Sequence, residues 1–368
     1  MLNILNKMRK ICEISTFILL ISCTILLISC KKEEKKINNN TRLPFTGVVS
    51  ETLFVDTMSV RAITLDKNKV WFATNQGKYG FCRFDKSKNY TNQILSDSIK
   101  PHFRGIAQNK ASIFLVSTES PAVIYKVDKS DHTITKIFED NHPEAFYNGI
   151  QFWNEYEGIA MGDPQNGCIT VVVTRDKGQS WEKVDCSNLP KTEKGEASFA
   201  ASNSSLIVKG DYTWIVTGGT KARVFFSSNK GKNWAAYETP MTQGKPMAGI
   251  FSADFYNVSI GIIAGGDYED INDNSKNKAL TINNGQSWSL LSDGQGFGYS
   301  SCIQFVPESG GIFIVSVGPQ GIYFSDDIGT FWKKISNDTD LYTLRFIDKK
   351  TAIAAGKNKI VRLKFTTD

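Results

Sequence analysis

From about residue 46 to the C-terminus, apolar positions fall in short runs, among them CITVVV, ARVFF, KALT and GIYF, separated by polar breaks containing Gly, Asn and Asp. Runs of this length between such breaks predict strands joined by tight turns. One eight-residue motif follows each of those four runs, at 174–181, 227–234, 281–288 and 325–332: Ser or Thr, any residue, Asp or Asn, any, Gly, any, any, Trp. Four of the chain's seven tryptophans close the motif, which marks it as a repeat. The side-chain oxygen of Asp176, Asn229, Asn283 or Asp327 can accept backbone N–H bonds within a turn, and Gly178, Gly231, Gly285 or Gly329 permits positive φ. Trp181, Trp234, Trp288 or Trp332 then carries a large apolar surface into the layer beneath. A further short strand (EKV, AAYE, SLL, KKI) follows each motif, so each is a hairpin turn.

A second pattern lies upstream. Phe152, Phe255 and Phe305 are each followed six residues later by Gly-Ile, and Phe346 by Ala-Ile. Each unit is therefore strand, loop, strand, strand, motif, strand, and four antiparallel strands in roughly 45 residues make a propeller blade. First strands are expected at 59–63, 102–106, 146–150, 196–202, 251–256, 301–306 and 342–347. The fold class is all-β: a seven-bladed β-propeller of four-stranded antiparallel blades over residues 46–368. In the first two blades, Asp85 with Ser87 and Asp128 with Ser130 stand as eroded motifs. The last blade runs out of chain before its fourth strand, so residues 46–54 are expected to supply it and cover the open edge.

Ahead of this lies a different kind of sequence. Lys7, Arg9 and Lys10 precede an apolar run at 14–28, which is short for a bilayer-spanning helix and suits a signal peptide over residues 1–29. Leu27-Ile28-Ser29-Cys30 resembles the lipobox of bacterial lipoproteins, which implies lipid attachment at Cys30 and an envelope location. The following Lys31-Lys32-Glu33-Glu34 resembles a surface-export signal, implying an outer-membrane address that faces the exterior. Residues 30–45 read as a flexible polar tether.

Of the formal net charge of +6, +4 sits within residues 1–36, and the remaining +2 is no nucleic-acid footprint. His102, His132 and His142 are far apart and pair with no cysteine at ligand spacing, so no metal site is expected. Cys168 and Cys186 flank the first motif almost symmetrically, which leaves a cross-strand disulfide open to them, with Cys82 and Cys302 as free thiols.

The motif resembles the Asp-box, or BNR repeat, of sialidases and related propellers. Residues 46–366 are similar to seven-bladed BNR-like propellers related to photosystem II stability and assembly factors. The resemblance implies a structural role for the boxes and, for the whole, a monomeric platform that binds or assembles a protein or glycan partner without catalysis. Its sialidase branch implies the alternative, a glycan-processing hydrolase whose arginines hold a sugar carboxylate. Arg61 and Arg104 sit at matched places in the first two blades, with Arg223 later, and suit bidentate carboxylate binding. No Tyr–Glu nucleophile pair matches that chemistry.

Gly294, Gly296 and Gly298 form the one glycine cluster, but it does not open a helix after a strand, so a dinucleotide cofactor is not expected. Asp267, Glu269, Asp270, Asn272, Asp273 and Asn274 concentrate oxygen ligands that calcium accepts, without the glycine and terminal glutamate of an EF-hand loop. Polar residues at strand ends that the scaffold does not require are Asp163, Glu196, Ser198, Arg223 and Asp267. With Arg61 and Arg104 they form the candidate binding face.

Overall fold

A computed structural model describes residues 44–95 and 100–367; the expected signal peptide, Cys30 and nearly all of the tether lie outside them. Strands β1 (Gly47–Asp66), β2 (Lys69–Thr74), β3 (Lys78–Arg83) and β4 (Asn89–Gln93) come first. They are followed by β5 (Phe103–Gln108), β6 (Ser112–Ser117), β7 (Ala122–Asp128) and β8 (Ile134–Asp140), then β9 (Tyr147–Phe152), β10 (Gly158–Gln165), β11 (Cys168–Thr174) and β12 (Glu182–Lys183). Next are β13 (Glu196–Ala197), β14 (Leu206–Lys209), β15 (Tyr212–Val216), β16 (Gly218–Gly219), β17 (Arg223–Ser227) and β18 (Ala235–Glu238). The chain continues through β19 (Ala248–Phe255), β20 (Gly261–Asp267), β21 (Lys278–Thr281) and β22 (Ser289–Leu290). It ends with β23 (Cys302–Phe305), β24 (Ile314–Gly318), β25 (Gly321–Ser325), β26 (Lys333–Ser336), β27 (Leu341–Asp348) and β28 (Thr351–Thr366).

These strands build a β-propeller of four-stranded antiparallel blades, yet their hydrogen bonds group them into six sheets where seven separate ones were expected. The reason lies in β1, which pairs with β28 from Gly47 to Ser59 and with β2 from Val60 to Asp66. Bonding therefore runs unbroken through β27-β28-β1-β2-β3-β4. Stacking of neighbouring sheets explains why runs such as Val70–Thr74 are buried on both faces. Phe114, Val116 and Ile124, for example, pack against Tyr147, Ile150, Ala160 and Val172 of the next sheet.

The N-terminal stretch closes the ring as expected, with register from Gly47 opposite Thr366 to Val55 opposite Lys359. Phe45, the last residue of the expected tether, is instead packed in the core, its ring 4.7 Å from those of Phe324 and Phe365. A second departure concerns residues 196–202, expected to form a first strand. Only Glu196 and Ala197 are in a strand, and they pair with β16 in the sheet of β19; the innermost strand of the β14-β15-β17-β18 sheet is Leu206–Lys209.

All four boxes share one set of bonds. Gly178, Gly231, Gly285 and Gly329 each donate N–H to the hydroxyl four residues back, at 2.8 to 3.0 Å. The residue before each Trp donates its N–H to the box Asp or Asn, at 2.9 to 3.0 Å. The indole N–H of Trp234, Trp288 and Trp332 returns to the box glycine carbonyl, whereas that of Trp181 is buried without a partner among the described residues. In the eroded turns, Asp85 and Asp128 accept from Ser87 and Ser130. Cys168 and Cys186 form a disulfide, and Cys82 and Cys302 are buried free thiols.

Candidate functional site

Residues 196–205 form a strap through the centre of the ring, bonded to the inner strands on every side. Its small side chains (Ala, Ser, Asn) leave the backbone carbonyls reachable, and three arginines reach them. Arg104 Nη1 donates to Ala200 O at 2.9 Å, Arg61 Nη1 to Ala201 O at 3.3 Å, and Arg345 Nη2 to Ser202 O and Asn203 O, both at 3.1 Å. Asn203 bridges β5 and β9, donating Nδ2–H to Ile106 O (2.8 Å) and accepting Ile150 N–H at Oδ1 (3.2 Å). Ser202 Oγ donates to Ser301 O at 2.7 Å, and Ser204 O accepts from Ala253 N at 2.8 Å. Phe199 is stacked on Phe251 with ring centroids 3.9 Å apart.

The strap gathers most of the residues expected on the binding face. Glu196 is buried and accepts from Arg223 Nε at 3.1 Å and Thr217 Oγ1 at 2.7 Å. Ser198 N–H donates to Asp163 Oδ1 at 3.0 Å, and Asn148 Nδ2 donates to the same oxygen at 2.7 Å. Burial pushes the Asp163 carboxyl up to about 6 against those two bonds. Arg61 and Arg104, expected to face a ligand carboxylate, spend donors on the strap instead, and Arg61 also lies over the Tyr342 ring, 4.2 Å from its centroid. Arg104 Nε donates to His102 Nε2 at 2.8 Å. Burial, reinforced by the positive charge of Arg104 and Arg61, pushes His102 down to about 4, so the imidazole is neutral at pH 7.

Asp267 stands apart. Its carboxylate takes Lys245 Nζ at 2.7 Å and Glu269 N–H at 2.9 Å, and Asp273 takes the N–H and hydroxyl of Ser275. Of the six side chains that could offer calcium an oxygen, Asp267 and Asp273 thus accept N–H groups of local turns and Asn272 Oδ1 accepts from Gln320 Nε2 at 2.9 Å, and among the described residues no three His, Cys, Asp or Glu side chains are grouped to hold a metal.

Two hollows flank the strap. A cleft of about 540 Å³ is lined by Glu144, Asp163, Thr192, Glu193, Lys194 and Glu196. The side-chain charges of Glu144, Glu193 and Lys194 are exposed on its rim and form no ion pair among the described residues. An axial hollow of about 390 Å³ is lined by Gln151, Asn203, Asp254, Gln304, Arg345 and Phe346, among others. Burial raises the Asp254 carboxyl, which accepts N–H bonds from Phe305 at 2.8 Å and Phe255 at 2.9 Å. The first hollow is lined by Asp163 and Glu196, both expected on the binding face, whereas the second holds none of the expected residues. A signal for the second was present, because Gln151, Asp254, Gln304 and Arg345 each immediately precede one of the four repeat phenylalanines. Alternation along a strand turns that position to the face of the sheet opposite the phenylalanine.

No protein-family profile and no curated protein sequence matches this chain. In three dimensions it is similar to YCF48 bound to D1 peptide, at 12% identity and a TM-score of 0.63, covering 89% of this chain and 100% of that one. YCF48 from Cyanidioschyzon merolae gives 12% identity and 0.63, with 86% and 98% covered. The WD40 repeats of RRP9 give 9% identity and 0.63, with 88% and 99% covered. At such identities the likeness defines the fold, a β-propeller of the kind seen in YCF48.

Proposed function

We propose that this chain is an envelope lipoprotein, anchored through Cys30 at the outer membrane, whose propeller binds a protein partner as a monomer. The ring is read as seven-bladed. In support, β1 changes partner between Ser59 and Val60, just after a break in its register with β28 between Val55 and Ser59, and an apolar layer containing Leu53, Ile63, Val70, Ile353 and Ile360 lies between the two halves of its six-stranded sheet. The observation that carries the binding reading is the cleft beside the strap. Its floor is fixed by the Arg223–Glu196 pair and by the bonds to Asp163, while Glu144, Glu193 and Lys194 offer unspent charge at the rim. A rigid floor with free charges is suited to a polar segment of another protein, since little ordering cost remains on this side. That YCF48 has been seen with a peptide bound accords with this reading.

The test compares wild-type chain with a Glu144→Lys/Glu193→Lys double variant for retention of envelope proteins. Bands held by the wild type and lost by the equally folded variant support the cleft; identical sets refute it.

A second reading, a glycan-processing hydrolase, draws on Asp163 alone, a cleft carboxyl held protonated to about pH 6 and so able to act as an acid. Release of fluorophore from sialosides or other glycosides by the wild type, abolished in Asp163→Asn, would support it. No release across the panel would end it.

A further inference from the structure

The one bond common to all four boxes at the place just before the Trp is that of the backbone N–H; Ser180 and Ser287 add a side-chain bond to the box Asp or Asn. Ser180, Asn233 and Ser287 fill that place in three boxes, and Phe331 fills it in the fourth with 65% of its surface exposed. The residue before the box glycine has positive φ in all four. Lys177, Lys230 and Asn284 stand there at 69°, 56° and 65°, but the fourth box has Ile328 at 62°. A β-branched residue is disfavoured in that region by the clash of its Cβ substituents with the backbone. Ile328 is nonetheless there, and 40% exposed. The neighbouring box adds Ile282, 74% exposed. Folding accounts for none of these three apolar side chains.

Their location gives them a partner. Phe45, where the chain joins the propeller, packs on Phe313, Phe324 and Phe365, and Phe324 directly precedes the first residue of the fourth box. The hairpin carrying Lys349 and Lys350 adjoins the same point, since Phe365 N–H donates to Lys350 O. Exposed Lys333, Lys334, Lys349, Lys350 and Lys364 therefore share this end of the ring with four acids: Asp326, Asp327 of the box, Asp348 and Glu308, the last paired with Lys349. Positive charge is in excess. By contrast, the first two boxes are tied to each other through polar groups, with Arg175 and Lys230 both on Glu157.

We propose that this end of the propeller is a membrane-contact surface, with Phe331, Ile328 and Ile282 seated among lipid headgroups and the surrounding lysines facing anionic lipid. Aromatic and aliphatic side chains ringed by lysine are what an interfacial surface requires. The orientation deepens the reading of an anchored lipoprotein, on which it rests for the membrane in question. The anchor's chain enters the propeller on this side. The strap and its cleft, reached from the opposite ends of the inner strands, then face away from the lipid.

The test uses residues 43–368, which form one compact unit, and sedimentation with vesicles of phosphatidylcholine containing phosphatidylglycerol or of phosphatidylcholine alone. Wild-type protein is expected to sediment with the anionic vesicles and less with the neutral ones. Ile328→Asn/Phe331→Ser, which installs residues that other boxes carry at these places, is expected to lower partitioning about tenfold or more. The variant's melting temperature confirms that it is folded. Wild-type protein that sediments with neither vesicle, or a folded variant that sediments as wild type does, overturns the proposal. Because this unit lacks Cys30, the result is independent of lipid attachment, which labelled-lipid incorporation into wild-type and Cys30→Ala chains tests separately.

Discussion

Arg223 closes on Glu196, Nε to Oε1 at 3.1 Å, with the glutamate side chain wholly buried and the arginine nearly so. A second donor of the same guanidinium reaches Lys191 O at 2.9 Å, so the arginine also ties down the loop that leads into the strap. Removing it strands a buried carboxylate, which typically costs about 3 to 5 kcal/mol. Arg223→Ala should therefore melt well below wild type, and adding Glu196→Gln should recover part of the loss. A single variant that melts with wild type would return Arg223 to the set of residues free to bind ligand.

Asn203 holds the strap to two inner strands and has a φ of 55°. Its replacement by Ala leaves Ile106 O and Ile150 N–H without their bonds and puts a Cβ-bearing, non-bonding residue in the left-handed region. A loss of roughly 2 to 4 kcal/mol is expected from the two buried groups, with strain adding to it. Urea unfolding of Asn203→Ala checks this, and a shift below about 1 kcal/mol would mean that the strap is held by its other contacts.

What the sequence disclosed and what it hid divide along the range of the interactions. Boxes, eroded turns and six of the seven expected first strands rest on turn chemistry and burial within a few residues, which Asp327, Gly329 and Trp332 display on their face. The strap rests on bonds between Arg61, Arg104 or Arg345 and carbonyl groups far away along the chain. A guanidinium committed to a backbone carbonyl looks the same in sequence as one awaiting a carboxylate, so Arg61 and Arg104 were read as ligand-binding. Nor does SFAASNSS advertise its path. Its Phe and Ala positions resemble half of a strand, and only the crowded centre of the ring explains its small residues.

The disulfide between Cys168 and Cys186 closes a loop with a sequence separation of 18 residues around the first box. Constraining an unfolded loop of that size is worth about 3 kcal/mol in the chain-entropy account. Residues 43–368, unfolded without reductant, should titrate two thiols, Cys82 and Cys302, and dithiothreitol should lower the melting temperature. Four titratable thiols would show that the bridge does not form in solution.

The pairing of β1 with β28 makes stability depend on both chain ends. Deleting residues 44–54 would expose the outer edge of β28 and remove Phe45 and Leu53, both buried. Unpaired strand edges invite association. The truncated protein should therefore aggregate or melt far lower, by light scattering and calorimetry. A monomeric truncation with unchanged melting would mean that the ring closes without its clasp.

Two half-buried groups give the folded state opposite responses to acid. Asp163 ionises at about 6 in the fold, held up by burial, but near the usual 3.8 when unfolded. Between those values the folded protein keeps a proton that the unfolded chain has released, so this group's contribution is greatest below pH 4 and declines as pH rises to 6, by about 3 kcal/mol at most. His102 runs the other way: burial and two arginines hold it down at about 4 against an ordinary 6.5, so its contribution is full above pH 6.5 and is lost as pH falls towards 4. The two slopes offset each other in the wild type and separate in single variants. Asp163→Asn should be more stable than wild type at pH 7 and should gain stability steeply from pH 4 to 6.5, whereas His102→Gln should lose stability over the same interval. Urea midpoints measured at pH 4.5, 5.5 and 7 distinguish these outcomes, and parallel curves for all three proteins would show that neither group is buried as described.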